Sequence, residues 1–247
     1  MTMPELQRRE VAGLEEVRFQ LEVDGEDVPA LFYLGDGDGP RPLVIIQHPA
    51  TSSKDDYFVA DVARMWARNG WVVGGLDAPM HGERRAFDPM GMLREPGRFA
   101  AASGRFTNEL RAVVDFLAGE FAVDLSRLGY VGYSMGSMLG IPAVAGDGRY
   151  KAAAFCLVGE GGLVGAASEP GSPVQQLGGV AVRIVGKLQD EFFPKAATEG
   201  LHAAMPGEKD LVWLPGGHFE IGQDVITAAG QWMERHIGHP RPGPRRA

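Results

Sequence analysis

The stretch Leu128-Gly-Tyr-Val-Gly-Tyr-Ser-Met-Gly-Ser-Met-Leu-Gly-Ile141 decides the reading of this chain. Its first half, Leu128–Tyr133, is a short apolar run of strand type, and small or apolar residues then continue at helix length from Met135 to Ala145. Between the two stands Gly132-Tyr-Ser-Met-Gly136. The bare Gly-x-Ser-x-Gly pattern is weak in a chain with 35 glycines, but here it falls at a strand-to-helix turn. A serine there can stand on a sharp bend with its hydroxyl exposed. A Cβ at either flanking glycine would strike the neighbouring strand or helix.

Strand and helix patterns alternate on both sides of this turn. Pro42–Gln47, Trp71–Asp77, Ala153–Val158, Val180–Val185 and Asp210–Leu214 are short apolar runs, the pattern of strands buried on both faces. Tyr57–Asn69, Gly104–Phe121, Pro194–Met205 and the segment around Val225, Ala229 and Trp232 repeat at helical spacing. Ahead of them Val17–Val23 and Pro29–Leu34 bracket Asp24-Gly25-Glu26-Asp27, a hairpin pattern. The expectation is an α/β fold, a mostly parallel eight-stranded sheet with an antiparallel N-terminal hairpin at its edge and helices on both faces. Gly82–Ser103 has no clear period and reads as a long loop above the sheet, whereas Gly159–Gly179 is too short to hold a large helical lid.

The 247 residues carry 24 Lys and Arg against 32 Asp and Glu, a formal net charge of −8. That balance argues against a non-specific hold on nucleic acid or anionic lipid. The one cysteine, Cys156, excludes an internal disulfide and a cysteine-based metal cluster, and its apolar neighbours mark a buried thiol. Residues 1–10 lack the apolar core of a secretory leader, and no apolar run approaches the ~18 residues of a membrane span. The expectation is a cytoplasmic protein with a single domain over residues 1–240 and a disordered Pro/Arg tail over 241–247.

Sites in open parallel sheets gather beyond the carboxyl ends of the strands. Ser134 lies there, and a serine hydroxyl becomes a useful nucleophile only when a base takes its proton. Of six histidines, His218 in Pro215-Gly-Gly-His-Phe219 directly follows the last strand on the same side. An imidazole base needs a carboxylate to fix its tautomer. Asp190, in Gly186–Pro194 after Val180–Val185, is the expected acid, with Glu160 after Ala153–Val158 as the alternative. His48 and His81 read as loop-shaping hydrogen bonders, because no carboxylate or cysteine accompanies them at metal-ligand spacing. Gly159–Gly165 lacks the last glycine of a dinucleotide-binding pattern, so neither metal nor cofactor is expected.

Gln47-His-Pro-Ala-Thr51, Asp77-Ala-Pro-Met-His-Gly82, Gly132–Gly136, Gly186–Pro194 and Gly216-Gly-His218 together resemble the α/β-hydrolase superfamily, over about residues 17–237. The chain looks most similar to its small esterase and dienelactone-hydrolase-like or peptidase-like branches. The resemblance implies the α/β-hydrolase fold and a serine carboxylesterase for small to medium esters, with Ser134, His218 and Asp190 as its catalytic residues. It also implies an oxyanion hole built from the Met135 N–H and a second N–H in the loop after Pro42–Gln47. Family members commonly carry His-Gly in that loop. This chain has His48-Pro49, proline has no N–H, and Ala50 becomes the expected donor. Phe192, Phe193 and Phe219 adjoin the acid and the base, and Phe87 and Met90 lie in the long loop. These residues are the candidate pocket for a modest uncharged acyl or alkyl group. Met92, Leu93 and Phe99 either join that pocket or cap the core. Thioester, lactone or peptide cleavage, acyl transfer or elimination, and non-catalytic ligand binding on the same fold stay open at this point.

Overall fold

A computed structural model of the chain describes residues 4–37, 39–84, 88 and 90–238. The tail at 241–247 and Phe87 lie outside the described residues. Nine strands are hydrogen-bonded into one sheet: β1 (Gln7–Val11), β2 (Leu14–Val23), β3 (Glu26–Leu34), β4 (Arg41–Gln47), β5 (Val72–Leu76), β6 (Val123–Tyr133), β7 (Tyr150–Cys156), β8 (Ala181–Lys187) and β9 (Lys209–Leu214). Their order is β1-β2-β3-β5-β4-β6-β7-β8-β9. From β5 to β9 neighbours run parallel, while β1, β2 and β3 pair antiparallel and join through β3 to β5.

The hairpin expected at the edge is present, with Asp24 and Gly25 both at positive φ (51° and 79°), the geometry of a two-residue turn between antiparallel strands. The ninth strand is β1, which the sequence reading did not contain. Its residues Gln7–Glu10 are exposed, only Val11 packs against the core, and the strand shows no apolar alternation. It forms because Ala12 and Gly13 (φ 54° and 79°) make a second tight turn that lays it against β2. β7 also runs from Tyr150 to Cys156, not to Val158, since Leu157 turns the chain at φ 60°.

Helices α1 (Tyr57–Ala67) and α6 (Gln223–Ile237) cover one face of the sheet, burying Val59, Val62, Trp66, Val225, Ala229 and Trp232. On the other face lie α2 (Gly91–Arg94), α3 (Pro96–Glu120), α4 (Met135–Ala145) and α5 (Lys195–Ala204). The loop expected over Gly82–Ser103 is therefore shorter. Residues 82–84 form one 3₁₀ turn, and α3 begins at Pro96, where the missing N–H costs nothing at the first turn. Phe99, Ala102 and Phe106 continue its buried stripe toward the N-terminus across Gly104. Met92 and Phe99 are buried in the core and Leu93 packs against it, so these three cap the core. The 3₁₀ turn is fastened to α3 by a bidentate pair, Arg84 Nη1 and Nη2 to Glu109 at 2.8 and 2.7 Å, with the Glu109 side chain fully buried.

The chain leaves β4 to form β5 on one side and returns to form β6 on the other. That crossover makes a switch point at the carboxyl ends of β4 and β6.

Candidate active site

Ser134 joins β6 to α4 with φ 51° and ψ −111°, a conformation that L-residues rarely adopt. Two close approaches hold it there. A Cβ on Gly132 would sit 2.6 Å from the Gly136 carbonyl carbon, and one on Gly136 would sit 2.4 Å from the Gln47 carbonyl oxygen. Only glycine lets α4 begin this close to β4 and β6. The Ser134 N–H donates to the Cys156 carbonyl at 2.9 Å, and the Ser137 hydroxyl reaches the carbonyls of Gly132 and Cys156, so the elbow is tied to both flanking strands.

His218 arrives from the loop after β9. Its Nε2 lies 2.8 Å from Ser134 Oγ, and its Nδ1 lies 2.9 and 3.1 Å from the two Asp190 carboxylate oxygens. Burial would raise the Asp190 carboxyl pKa. The His218 ring and the N–H groups of Phe193 and Phe192 outweigh that and hold it below the usual carboxylate range. An ionised Asp190 facing Nδ1 places the ring proton on Nδ1 and leaves Nε2 free to accept from Ser134. Glu160, the alternative acid, lies elsewhere: its Oε1 fills the space left by the missing side chain of Gly200 on α5.

The loops carrying Asp190 and His218 are laced together. Glu191 accepts the backbone N–H of His218 at 2.8 Å, Gln189 Oε1 accepts that of Gly216 at 2.7 Å, and Lys187 Nζ donates to the Pro215 carbonyl at 2.9 Å. None of these three was read from the sequence. The adjacency of Glu191 to Asp190 was its one visible trace.

Met135 is the first residue of α4, where the N–H has no preceding helical turn to accept it. Facing it is the loop after β4. His48 is buried with Nδ1 2.8 Å from the Pro49 carbonyl, while Nε2 accepts the Ala78 N–H at 3.0 Å. Burial, the largest influence, brings its pKa down to about 4, so the ring is neutral and Nδ1 carries the hydrogen. Pinning the Pro49 carbonyl toward His48 turns the Ala50 N–H the opposite way, because the joining peptide is planar and trans. His81 donates its Nδ1 hydrogen to the Pro79 carbonyl at 2.9 Å, with its ring 5.5 Å from that of His48. Beneath this loop Asp77 takes the Lys54 N–H, the Lys54 ammonium and the Glu83 N–H at 2.9, 3.0 and 2.9 Å. Lys54 was also missed, since 23 residues separate it from Asp77 and no pattern joins them.

Phe192, Phe193 and Phe219 surround the imidazole with ring centroids 4.8, 5.6 and 5.6 Å from it. Phe193 packs against the core, whereas Phe192 is 59% and Phe219 78% exposed. Met90 is half-buried beside α2. Among the described residues no three His, Cys, Asp or Glu side chains are placed to share a metal ion, and no helix is long and apolar enough to cross a membrane.

No protein-family model and no curated protein sequence matches the chain. Solved structures do. A cold-adapted esterase from an Arctic intertidal metagenomic library superposes with a TM-score of 0.80 at 23% identity, over 93% of this chain and 97% of that one. The 2,6-dihydroxy-pseudo-oxynicotine hydrolase follows this chain with a TM-score of 0.70 at 19% identity, over 93% of it and 72% of the hydrolase. A methylesterase gives 0.75 at 19%, over 95% of this chain and 58% of its own. With a serine elbow after β6 at the switch point of a nine-stranded sheet shared with these hydrolases, the chain has the α/β-hydrolase fold.

Proposed function

We propose that this protein is a serine hydrolase that cleaves carboxylic esters, with Ser134 as nucleophile, His218 as base and acid, and Asp190 as the carboxylate that orients His218. The observation that carries the reading is the unbroken line of hydrogen bonds from Ser134 Oγ through His218 to Asp190, set on a strained elbow that presents the hydroxyl. Ser134 Oγ attacks the ester carbonyl carbon while Nε2 takes its proton. The carbonyl oxygen gains the charge and is met by the N–H groups of Met135 and Ala50, which are already oriented before the reaction begins. The bond to the alcohol oxygen then breaks as Nε2 returns the proton to it. Water, deprotonated by the same nitrogen, attacks the acyl-enzyme and restores Ser134.

His48 serves this scheme indirectly. Its two hydrogen bonds set the direction of the Ala50 N–H, which is how a chain with proline in this loop can still present a second donor.

Replacing Ser134 by Ala should lower turnover of a small ester such as p-nitrophenyl acetate ~10⁴-fold or more, with the unfolding temperature little changed. A fluorophosphonate probe should label the native protein at Ser134 and leave the variant unlabelled. Near-normal hydrolysis by the variant, or a folded native protein that takes no label, would overturn the reading.

A further inference from the structure

Two large aromatic side chains stand in solvent beside the base, at a position where a stable monomer would ordinarily bury or replace them. Phe192 is 59% and Phe219 78% exposed, and their rings meet edge to face at 90° with centroids 5.5 Å apart. Each also contacts the His218 ring. Phe192 is fixed through its backbone, whose N–H donates to Asp190 at 2.9 Å, and Phe219 directly follows His218 in the chain. The pair is therefore carried by the acid and base loops themselves.

The chemistry of ester cleavage says what meets them. The alcohol oxygen must come within hydrogen-bond reach, about 2.6–3.2 Å, of His218 Nε2 to receive its proton. The carbonyl oxygen lies on the opposite side, toward Met135 and Ala50. The half of the ester beside the imidazole is thus the departing alcohol. Behind Phe219 a cleft of about 390 Å³ opens, within the size range of small-molecule sites; Tyr57, Pro215 and Ile221 give it apolar wall, and its one cation, Lys187, is already paired with Asp224 at 2.8 Å. The rim carries carboxylates: Glu191 holds the His218 N–H and Glu220 the Gly217 N–H. An anionic alcohol would be repelled there.

Resting on the serine-hydrolase reading above, we propose that Phe192 and Phe219 form the binding surface for the alcohol half of the substrate, and that this alcohol is uncharged and carries an aromatic ring. The ring lies in the corner between the two phenyl faces, covering apolar area that is otherwise wet. Selectivity therefore resides in the leaving group, and the acyl group is chosen elsewhere.

The test holds the acyl group constant and varies the alcohol, using acetates of benzyl alcohol, ethanol and glycolic acid, whose oxygens are of similar leaving ability. The native protein should show the highest kcat/KM on benzyl acetate and the lowest on the glycolate ester. In Phe192→Ala and Phe219→Ala the ratio of kcat/KM for benzyl over ethyl acetate should fall about tenfold each, while the ratio for ethyl butyrate over ethyl acetate stays as in the native protein. Phe219→Leu, which keeps apolar area, should lose less than the alanine change. Fluorophosphonate labelling of every variant reports that the Ser134 site is intact. A native protein that labels but shows no benzyl preference overturns the proposal alone. Variants whose loss follows the acyl chain overturn it too. A native protein that neither labels nor hydrolyses any of the esters overturns the hydrolase reading, and this proposal with it.

Discussion

His48 keeps its two hydrogen bonds only as a neutral ring, since a protonated Nε2 could not accept from Ala78. Its pKa in the folded chain, brought to about 4 chiefly by burial, lies below the ordinary value of about 6.5. Between those pH values the unfolded chain binds a proton at this position that the folded chain does not. Stability from this residue is therefore complete above about pH 6.5 and declines as pH falls toward 4, by ~3 kcal/mol in all. Urea unfolding across pH 4–7 should show this slope in the native protein and a flatter one in His48→Asn, which has nothing to protonate. Parallel slopes would assign the acid sensitivity to other groups. Much at this scale was legible in the sequence. Ser134, Asp190 and His218 each follow a strand at its carboxyl end, which made them candidates, while the Gly-x-Ser-x-Gly turn marked Ser134 and Glu160 stood at another strand end as the alternative acid. The lacing by Glu191, Gln189 and Lys187 was not legible, because it depends on how two loops distant in sequence lie beside each other.

Elements divide by how their burial is distributed. The strands from β4 to β9 contain apolar runs that could be read directly, except that β6 starts five residues before Leu128, in the mixed stretch Val123–Arg127. The N-terminal extension of α3 could not, because Gly104 interrupts a stripe whose buried members are Phe99, Ala102 and Phe106, and Gly97 stands just ahead of it. β1 escaped for the opposite reason, being exposed from Gln7 to Glu10 and specified mainly by a turn. The attachment of the 82–84 turn to α3 belongs to this scale. Arg84 and Glu109 are both shielded from water, and removing Glu109 leaves the Arg84 guanidinium only the half-exposed Glu26 carboxylate at 3.7 Å and the Asp77 carbonyl at 3.2 Å. Glu109→Ala should cost about 3–5 kcal/mol in urea unfolding. A cost below ~1 kcal/mol would mean that water reaches the pair and the turn is held by something else.

Across the whole molecule, one sheet carries both the scaffold and the site. Its antiparallel strands extend one edge, while the parallel strands bring Ser134, Asp190 and His218 to the same rim. The sequence reading reached this architecture from alternation of pattern, with one strand too few. It did not reach the balance between scaffold and site, which depends on backbone angles. Ser134 sits at φ 51° and ψ −111°, a seat that costs a non-glycine residue on the order of 1–3 kcal/mol. Ser134→Gly and Ser134→Ala both lack the hydroxyl, so their comparison reads that cost less the ~0.4–1 kcal/mol by which glycine loosens the unfolded chain. The glycine protein should melt about 2–6 °C higher than the alanine one, and a glycine protein that melts lower would show the bend to be relaxed. A library of this gene sorted for heat endurance alone should therefore drift to glycine at position 134. Durability and the presentation of a hydroxyl pull against each other at a single backbone joint.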